Sequence, residues 1–66
     1  MQIFLNGQVH DCAPATTIAK LLAETGRGER RVAVEVNHEI VPRSRHAQQP
    51  LHEGDHVEIV QAIGGG

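Results

Sequence analysis

The chain has 66 residues, 39% of them apolar and 21% charged, with a formal net charge of −2 when histidines are neutral. A domain of this size buries only ~60% of the surface its unfolded chain exposes, so a deep pocket with a preorganised catalytic shell is not expected. That favours a carrier, a subunit or a binding module over an enzyme. The charge balance and the mixed grouping of Arg27, Glu29, Arg30 and Arg31, then Arg43 and Arg45, argue against nucleic-acid binding.

Cys12 is the only cysteine, which excludes an intrachain disulfide, a Cys-x-x-Cys redox motif and a four-cysteine iron–sulfur centre. No basic segment followed by a long apolar run opens the sequence, so neither a secretory leader nor a membrane span is expected. The expected location is cytoplasmic.

Residues 1–5 alternate, with Met1, Ile3 and Leu5 on one face and Gln2 and Phe4 on the other, which is the pattern of a half-buried strand. Asn6-Gly7 follows, and both residue types accept the positive φ of a tight hairpin turn. Residues 8–11 should then run back as a second strand. Pro14 and Thr16-Thr17 announce a helix, since either threonine can accept a hydrogen bond from a free N–H of the first turn. Ile18, Leu21, Leu22 and Thr25 form an apolar stripe at helical spacing, and Gly26 suits the left-handed position past the helix end. Lys20 stands where a capping box would place an acid.

Val32-Ala33-Val34-Glu35-Val36 reads as the clearest strand. Asn37-His38 is a turn into a short strand at Glu39-Ile40-Val41, and Pro42 ends regular pairing. Residues 43–50 are polar and expected to be irregular, and residues 51–55 to form a turn. Residues 56–62 form the last strand, with Val57, Ile59 and Gln61 opposite Glu58, Val60 and Ala62. The order implies an α+β fold of β-grasp (ubiquitin-like) type, a mixed sheet of about four to five strands packed on one helix. The first and last strands can pair in parallel at the sheet centre. Residues 1–63 form one domain, and residues 64–66 a flexible glycine tail.

At this point the chain resembles the ThiS family, the sulfur carriers of thiamine biosynthesis. The resemblance rests on Ile3, Asn6-Gly7, Thr17-Ile18-Ala19, Leu21-Leu22, Val32-Ala33-Val34-Glu35-Val36-Asn37 and Ile40-Val41-Pro42-Arg43. It continues through Leu51, Glu53-Gly54-Asp55, Val57-Glu58-Ile59-Val60 and the terminal Gly65-Gly66. It implies that a ThiF-like adenylyltransferase activates the Gly66 carboxylate with ATP and Mg. Sulfur from a donor such as a cysteine desulfurase relay then replaces AMP, and the thiocarboxylate gives its sulfur to a ThiG-like thiazole synthase. The chain itself is then a cosubstrate that holds no cofactor.

The tail suits that chemistry. A terminal carboxyl titrates at ~3.3–3.7 and is an anion at neutral pH. Gly64, Gly65 and Gly66 lack side chains and so can adopt backbone angles closed to other residues, and three extended residues reach ~10 Å. Other readings remain open: a molybdopterin synthase small subunit, a ubiquitin-like modifier joined to lysines through Gly66, or an interaction module with an idle tail.

If Met1, Ile3 and Leu5 face the helix, Phe4 faces outward together with Ala33, Glu35, Glu58 and Val60. Phe4, Val60, Ala62 and Ile63 are therefore the candidate partner-binding residues. Five histidines invite a metal reading, with His52 and His56 foremost, but Glu53-Gly54-Asp55 breaks any helical alignment and no metal site is expected. Cys12 has no Lys or Arg close in sequence and is expected to be inert.

Overall fold

The computed structural model describes residues 1–28 and 31–61. Five strands and one helix follow in the order β1 (Gln2–Leu5), β2 (Gln8–Asp11), α1 (Ile18–Glu24), β3 (Val32–Val36), β4 (Glu39–Val41) and β5 (His56–Gln61). They build one mixed sheet in the order β2-β1-β5-β3-β4. The β1–β5 pair is parallel and every other pair is antiparallel. This is the β-grasp arrangement expected from the sequence, with five strands.

The opening hairpin turns at Asn6-Gly7, where φ is 50° and 82°. Both central residues are left-handed, so the turn is of the primed type whose twist matches the flanking strands. Asn6 also binds the sheet: its Oδ1 accepts the Ile59 N–H at 2.8 Å and its Nδ2 donates to the Ile59 carbonyl at 3.3 Å. Its backbone N–H donates to the Val57 carbonyl at 2.9 Å. One side chain thereby extends the parallel β1–β5 ladder beyond the end of β1.

Thr17 is the residue that caps α1, its hydroxyl accepting the Lys20 N–H at 3.2 Å. Two more first-turn donors are satisfied from a distant loop, Ile18 N–H by the Gln49 carbonyl and Ala19 N–H by the His46 carbonyl, each at 3.0 Å. A short helix has few internal bonds, so these contacts hold its N-terminus to the body of the protein. At the other end the Arg27 N–H reaches the Leu22 carbonyl at 2.7 Å and the Gly26 N–H the Ala23 carbonyl at 3.2 Å. This is the Schellman closure, and Gly26 at φ 78° supplies the left-handed residue it needs.

The core joins Ile18, Leu21 and Leu22 of α1 to Ile3, Val34, Val36, Val57 and Ile59 of the sheet, with Leu51 added from the loop. Burying each such side chain stabilises the fold by ~1.5–3 kcal/mol. In a chain with one Phe and no Tyr or Trp, this aliphatic layer is the main apolar contribution.

Residues 43–50 differ from the irregular stretch expected. Arg43–Arg45 form a 3-10 turn, and His46 is buried with its Nε2 3.0 Å from the Val41 carbonyl. That bond requires the ring hydrogen on Nε2. The polar composition of the loop concealed its role, because it works through backbone carbonyls and one buried imidazole.

Leu51 belongs to the core rather than the turn. The turn itself, at Glu53-Gly54-Asp55, is tied to β1 from several sides. The Gly54 N–H donates to the Gln2 carbonyl at 2.7 Å, the Phe4 N–H to the Asp55 carbonyl at 2.8 Å, and the Gln2 N–H to Glu53 Oε1 at 3.0 Å. Gly54 has φ 82°, so only a residue tolerant of the left-handed region fits between its neighbours. The turn thereby launches β5 alongside β1 in parallel.

Candidate functional site

The alternation of the strands leaves the sheet with two unlike faces. Helix α1 covers the apolar one. The other carries Gln2 and Phe4 from β1, Val9 and Asp11 from β2, and His56, Glu58 and Val60 from β5. Ala33 and Glu35 of β3 and Ile40 of β4 complete it. Val9, Ile40 and Val60 are 60%, 73% and 59% exposed, uncommonly open for large aliphatic side chains. None of these outward positions is Lys or Arg, so the face combines apolar surface with acidic charge.

Phe4 departs from expectation in one respect. It faces outward, as the alternation predicts, but it is half-buried and stacks on His56, with ring centroids 4.5 Å apart and planes 14° from parallel. The two residues are register partners across the parallel β1–β5 pair. His56 is thus an aromatic neighbour on this face and not a partner of His52. Val60 is the penultimate residue of β5, opposite Ala33.

The strand that carries the candidate tail is the central one. β5 is paired with β1 on one side and with β3 on the other, and Val32 opposite Gln61 closes the β3 register. Ala62, Ile63, Gly64, Gly65 and Gly66, all named in the sequence analysis, lie outside the described residues. The chain reaches them directly from a strand anchored on both edges.

Glu35, His38 and Glu58 offer ligand atoms that all lie within 4.8 Å of one another. The β3–β5 register sets Glu35 directly opposite Glu58, and the β3–β4 turn brings His38 to the same end. No linear motif links the three residues, so the sequence alone gave no signal for them. Among the described residues the one ion pair is His52 with Asp55, Nδ1 to Oδ2 3.8 Å.

A cleft of about 290 Å³ lies elsewhere, between the β3–β4 turn and residues 49–55, and is lined in part by Asn37, Ile40, Arg45, His52 and Asp55. Two of its polar side chains are engaged with neighbours. Asn37 Nδ2 donates to Asp55 Oδ1 at 3.1 Å, and Asp55 Oδ2 accepts the His52 N–H at 2.8 Å. These bonds fix the turn that starts β5. Cys12 is half-buried against the core. Among the described residues, no helix is long and apolar enough to cross a membrane.

The sequence pattern of the ThiS family matches residues 3–66. The chain belongs to the ThiS family. The sulfur carrier protein ThiS of Escherichia coli is 36% identical over 66 residues, covering all of both chains. The thiazole synthase of Paramagnetospirillum magneticum is 46% identical over 66 residues, which is all of this chain but 20% of that protein. A thiazole synthase of Magnetococcus marinus is similar in the same way, at 41% identity and 20% coverage. This ThiS-family chain therefore spans about a fifth of the length of those two relatives. The crystal structure of the thiamine biosynthesis protein ThiS from Geobacter metallireducens superimposes with a TM-score of 0.87 at 28% identity, each chain covered in full. The shared architecture is the β-grasp sheet with its single helix.

Proposed function

We propose that this chain is a sulfur carrier of thiamine biosynthesis whose working group is the carboxylate of Gly66. The observation that carries the reading is the family match through residue 66, together with full mutual coverage of the Escherichia coli sulfur carrier. In this reading an oxygen of the Gly66 carboxylate attacks the α-phosphate of ATP, bound with Mg by a ThiF-like adenylyltransferase, and pyrophosphate leaves. A carboxylate is a poor acyl donor, whereas the acyl adenylate has AMP as leaving group. A donor's persulfide, from a cysteine desulfurase relay for example, then attacks the carbonyl carbon and expels AMP. A second thiol cleaves the resulting acyl disulfide, leaving the thiocarboxylate and a donor disulfide. The thiocarboxylate so formed hands its sulfur to a ThiG-like thiazole synthase for thiazole formation.

The body of the domain contributes position. β5 is held on both edges, so the chain beyond Gln61 starts from a fixed point. The outward face around Phe4 and Val60 is the docking surface in this reading, with Ala62 and Ile63 as the further candidate contacts. Curated relatives named thiazole synthase that contain a region similar to this chain favour such a synthase as one partner. Sharing one chain raises the effective concentration of two modules without any new contact. A carrier on a separate chain relies on its interface alone.

The test is intact-mass spectrometry of untagged protein, before and after incubation with ATP, Mg, a sulfur source and an adenylating enzyme active on another carrier. The expected result is replacement of one oxygen by sulfur, localised to Gly66. Absence of both adenylate and thiocarboxylate would overturn the reading in favour of an interaction module. Covalent adducts on lysines of other proteins would instead identify a ubiquitin-like modifier. For the docking face, Phe4→Ala and Val60→Glu are expected to slow both thiocarboxylate formation and sulfur delivery, and unchanged rates in both would remove that surface.

A further inference from the structure

The outward face holds a feature that the carrier chemistry does not use. Glu35 and Glu58 stand directly opposite each other on adjacent antiparallel strands, where like charges destabilise a sheet. Among the described residues neither forms an ion pair with a basic side chain. His38 joins them from a turn in which Asn37 and His38 both have positive φ, 51° and 70°. A like-charge pair and an imidazole therefore meet at one point, and the three ligand atoms there lie within 4.8 Å of one another.

We propose that Glu35, His38 and Glu58 form a binding site for a borderline divalent transition ion of the Zn²⁺ type. The donor set decides the class of ion. One imidazole nitrogen with two carboxylate oxygens suits Zn²⁺ and its neighbours, whereas Mg²⁺ and Ca²⁺ take oxygen ligands. Zn–N and Zn–O bonds of ~2.0–2.2 Å set tetrahedral ligand atoms ~3.3–3.5 Å apart. The observed spread of up to 4.8 Å closes by rotation of the exposed Glu58 and the half-buried Glu35 side chains. The ion neutralises the opposed carboxylates. Three protein ligands leave a fourth position for water or for a donor atom of a docked protein, because the site lies on the same face as Val60. The site needs no step of the tail chemistry and stands or falls independently of it.

The experiment is titration of Zn²⁺ into chelator-stripped, untagged protein, followed by calorimetry and by amide chemical shifts. Saturable one-to-one binding is expected, with the largest shifts at Glu35, His38 and Glu58. Glu35→Gln, Glu58→Gln and His38→Asn should each weaken binding at least ~tenfold, while His52→Gln leaves it unchanged. The glutamine variants keep side-chain volume, and asparagine tolerates the left-handed backbone, so the fold is retained and its spectrum checks this directly. Absence of saturable binding at millimolar Zn²⁺ would overturn the proposal, as would binding that survives all three substitutions unweakened.

Discussion

Asn6 offers the sharpest test of how the sheet is held. Its side chain supplies two hydrogen bonds to Ile59, at 2.8 and 3.3 Å, and its backbone sits at φ 50°. Asn6→Ala removes both bonds and places an ordinary residue in the left-handed region. A net hydrogen bond is worth ~0.5–1.5 kcal/mol, with the longer bond at the lower end because water reaches this site. The left-handed conformation costs Ala ~1–2 kcal/mol. The sum is about 3 kcal/mol, against a total stability of ~3–10 kcal/mol for a domain of this length. Asn6→Gly loses the same bonds but not the backbone preference, and its greater unfolded-state freedom costs ~0.4–1 kcal/mol, so about 2 kcal/mol is expected. Asn6→Asp keeps the acceptor for the Ile59 N–H but sets a carboxylate oxygen near the Ile59 carbonyl, and should fall between asparagine and glycine. Urea unfolding followed by circular dichroism gives the order directly. Equal stability of the Ala and Gly variants would refute the backbone part of the argument, and an Ala variant within ~0.5 kcal/mol of the parent would refute all of it.

Three further substitutions probe other parts of the fold. Ala15 has φ 64° in the turn closed by the Thr16 N–H to the Ala13 carbonyl at 3.2 Å; Ala15→Gly should stabilise by about 0.5–1 kcal/mol and raise the melting temperature by a few degrees in calorimetry. Leu21→Ala opens a cavity at a fully buried position and should cost ~2–5 kcal/mol, enough to leave much of the population unfolded by near-ultraviolet and amide-shift criteria. His46→Phe preserves the bulk but leaves the Val41 carbonyl without its ring donor, so it should cost about 1 kcal/mol. His46→Ala adds a cavity and should cost about 2–3 kcal/mol in the same unfolding assay.

Much of the architecture was legible because local chemistry and global placement agree. Asn6-Gly7 reads as a primed turn and is one. Thr17 and Gly26 bracket α1 as capping residues, and the valines of β3 alternate into the core. The less legible parts depend on partners far apart in sequence. The 43–50 loop looked irregular because its contribution is made by carbonyls at His46 and Gln49, which composition does not reveal. The stacking of Phe4 on His56 and the meeting of Glu35, His38 and Glu58 follow from strand register, which alternation alone leaves open across strands. Asn6 was legible as a turn residue but not as a bridge to Ile59, since that role exists only once β5 lies beside β1.

The placement of β5 also bears on the proposed carrier role. A slip of one residue would move its end by ~3.3 Å and exchange its two faces, turning Glu58 and Val60 into the core and Val57 and Ile59 outward. The structure opposes that slip at two points along the strand. At the start, Asn37 Oδ1 accepts the His56 N–H at 3.0 Å while the Asn37 N–H donates to the His56 carbonyl at 2.7 Å. Beyond the end of β1, Asn6 does the same for Ile59 through its side chain. These bonds draw on the side-chain amides of two turn residues, and both asparagines sit at positive φ. Turn formation and register are therefore set by the same residues. A body built this way fixes the origin of whatever follows Gln61, so any reach into a partner's active site has to come from the residues beyond β5 and not from movement of the strand.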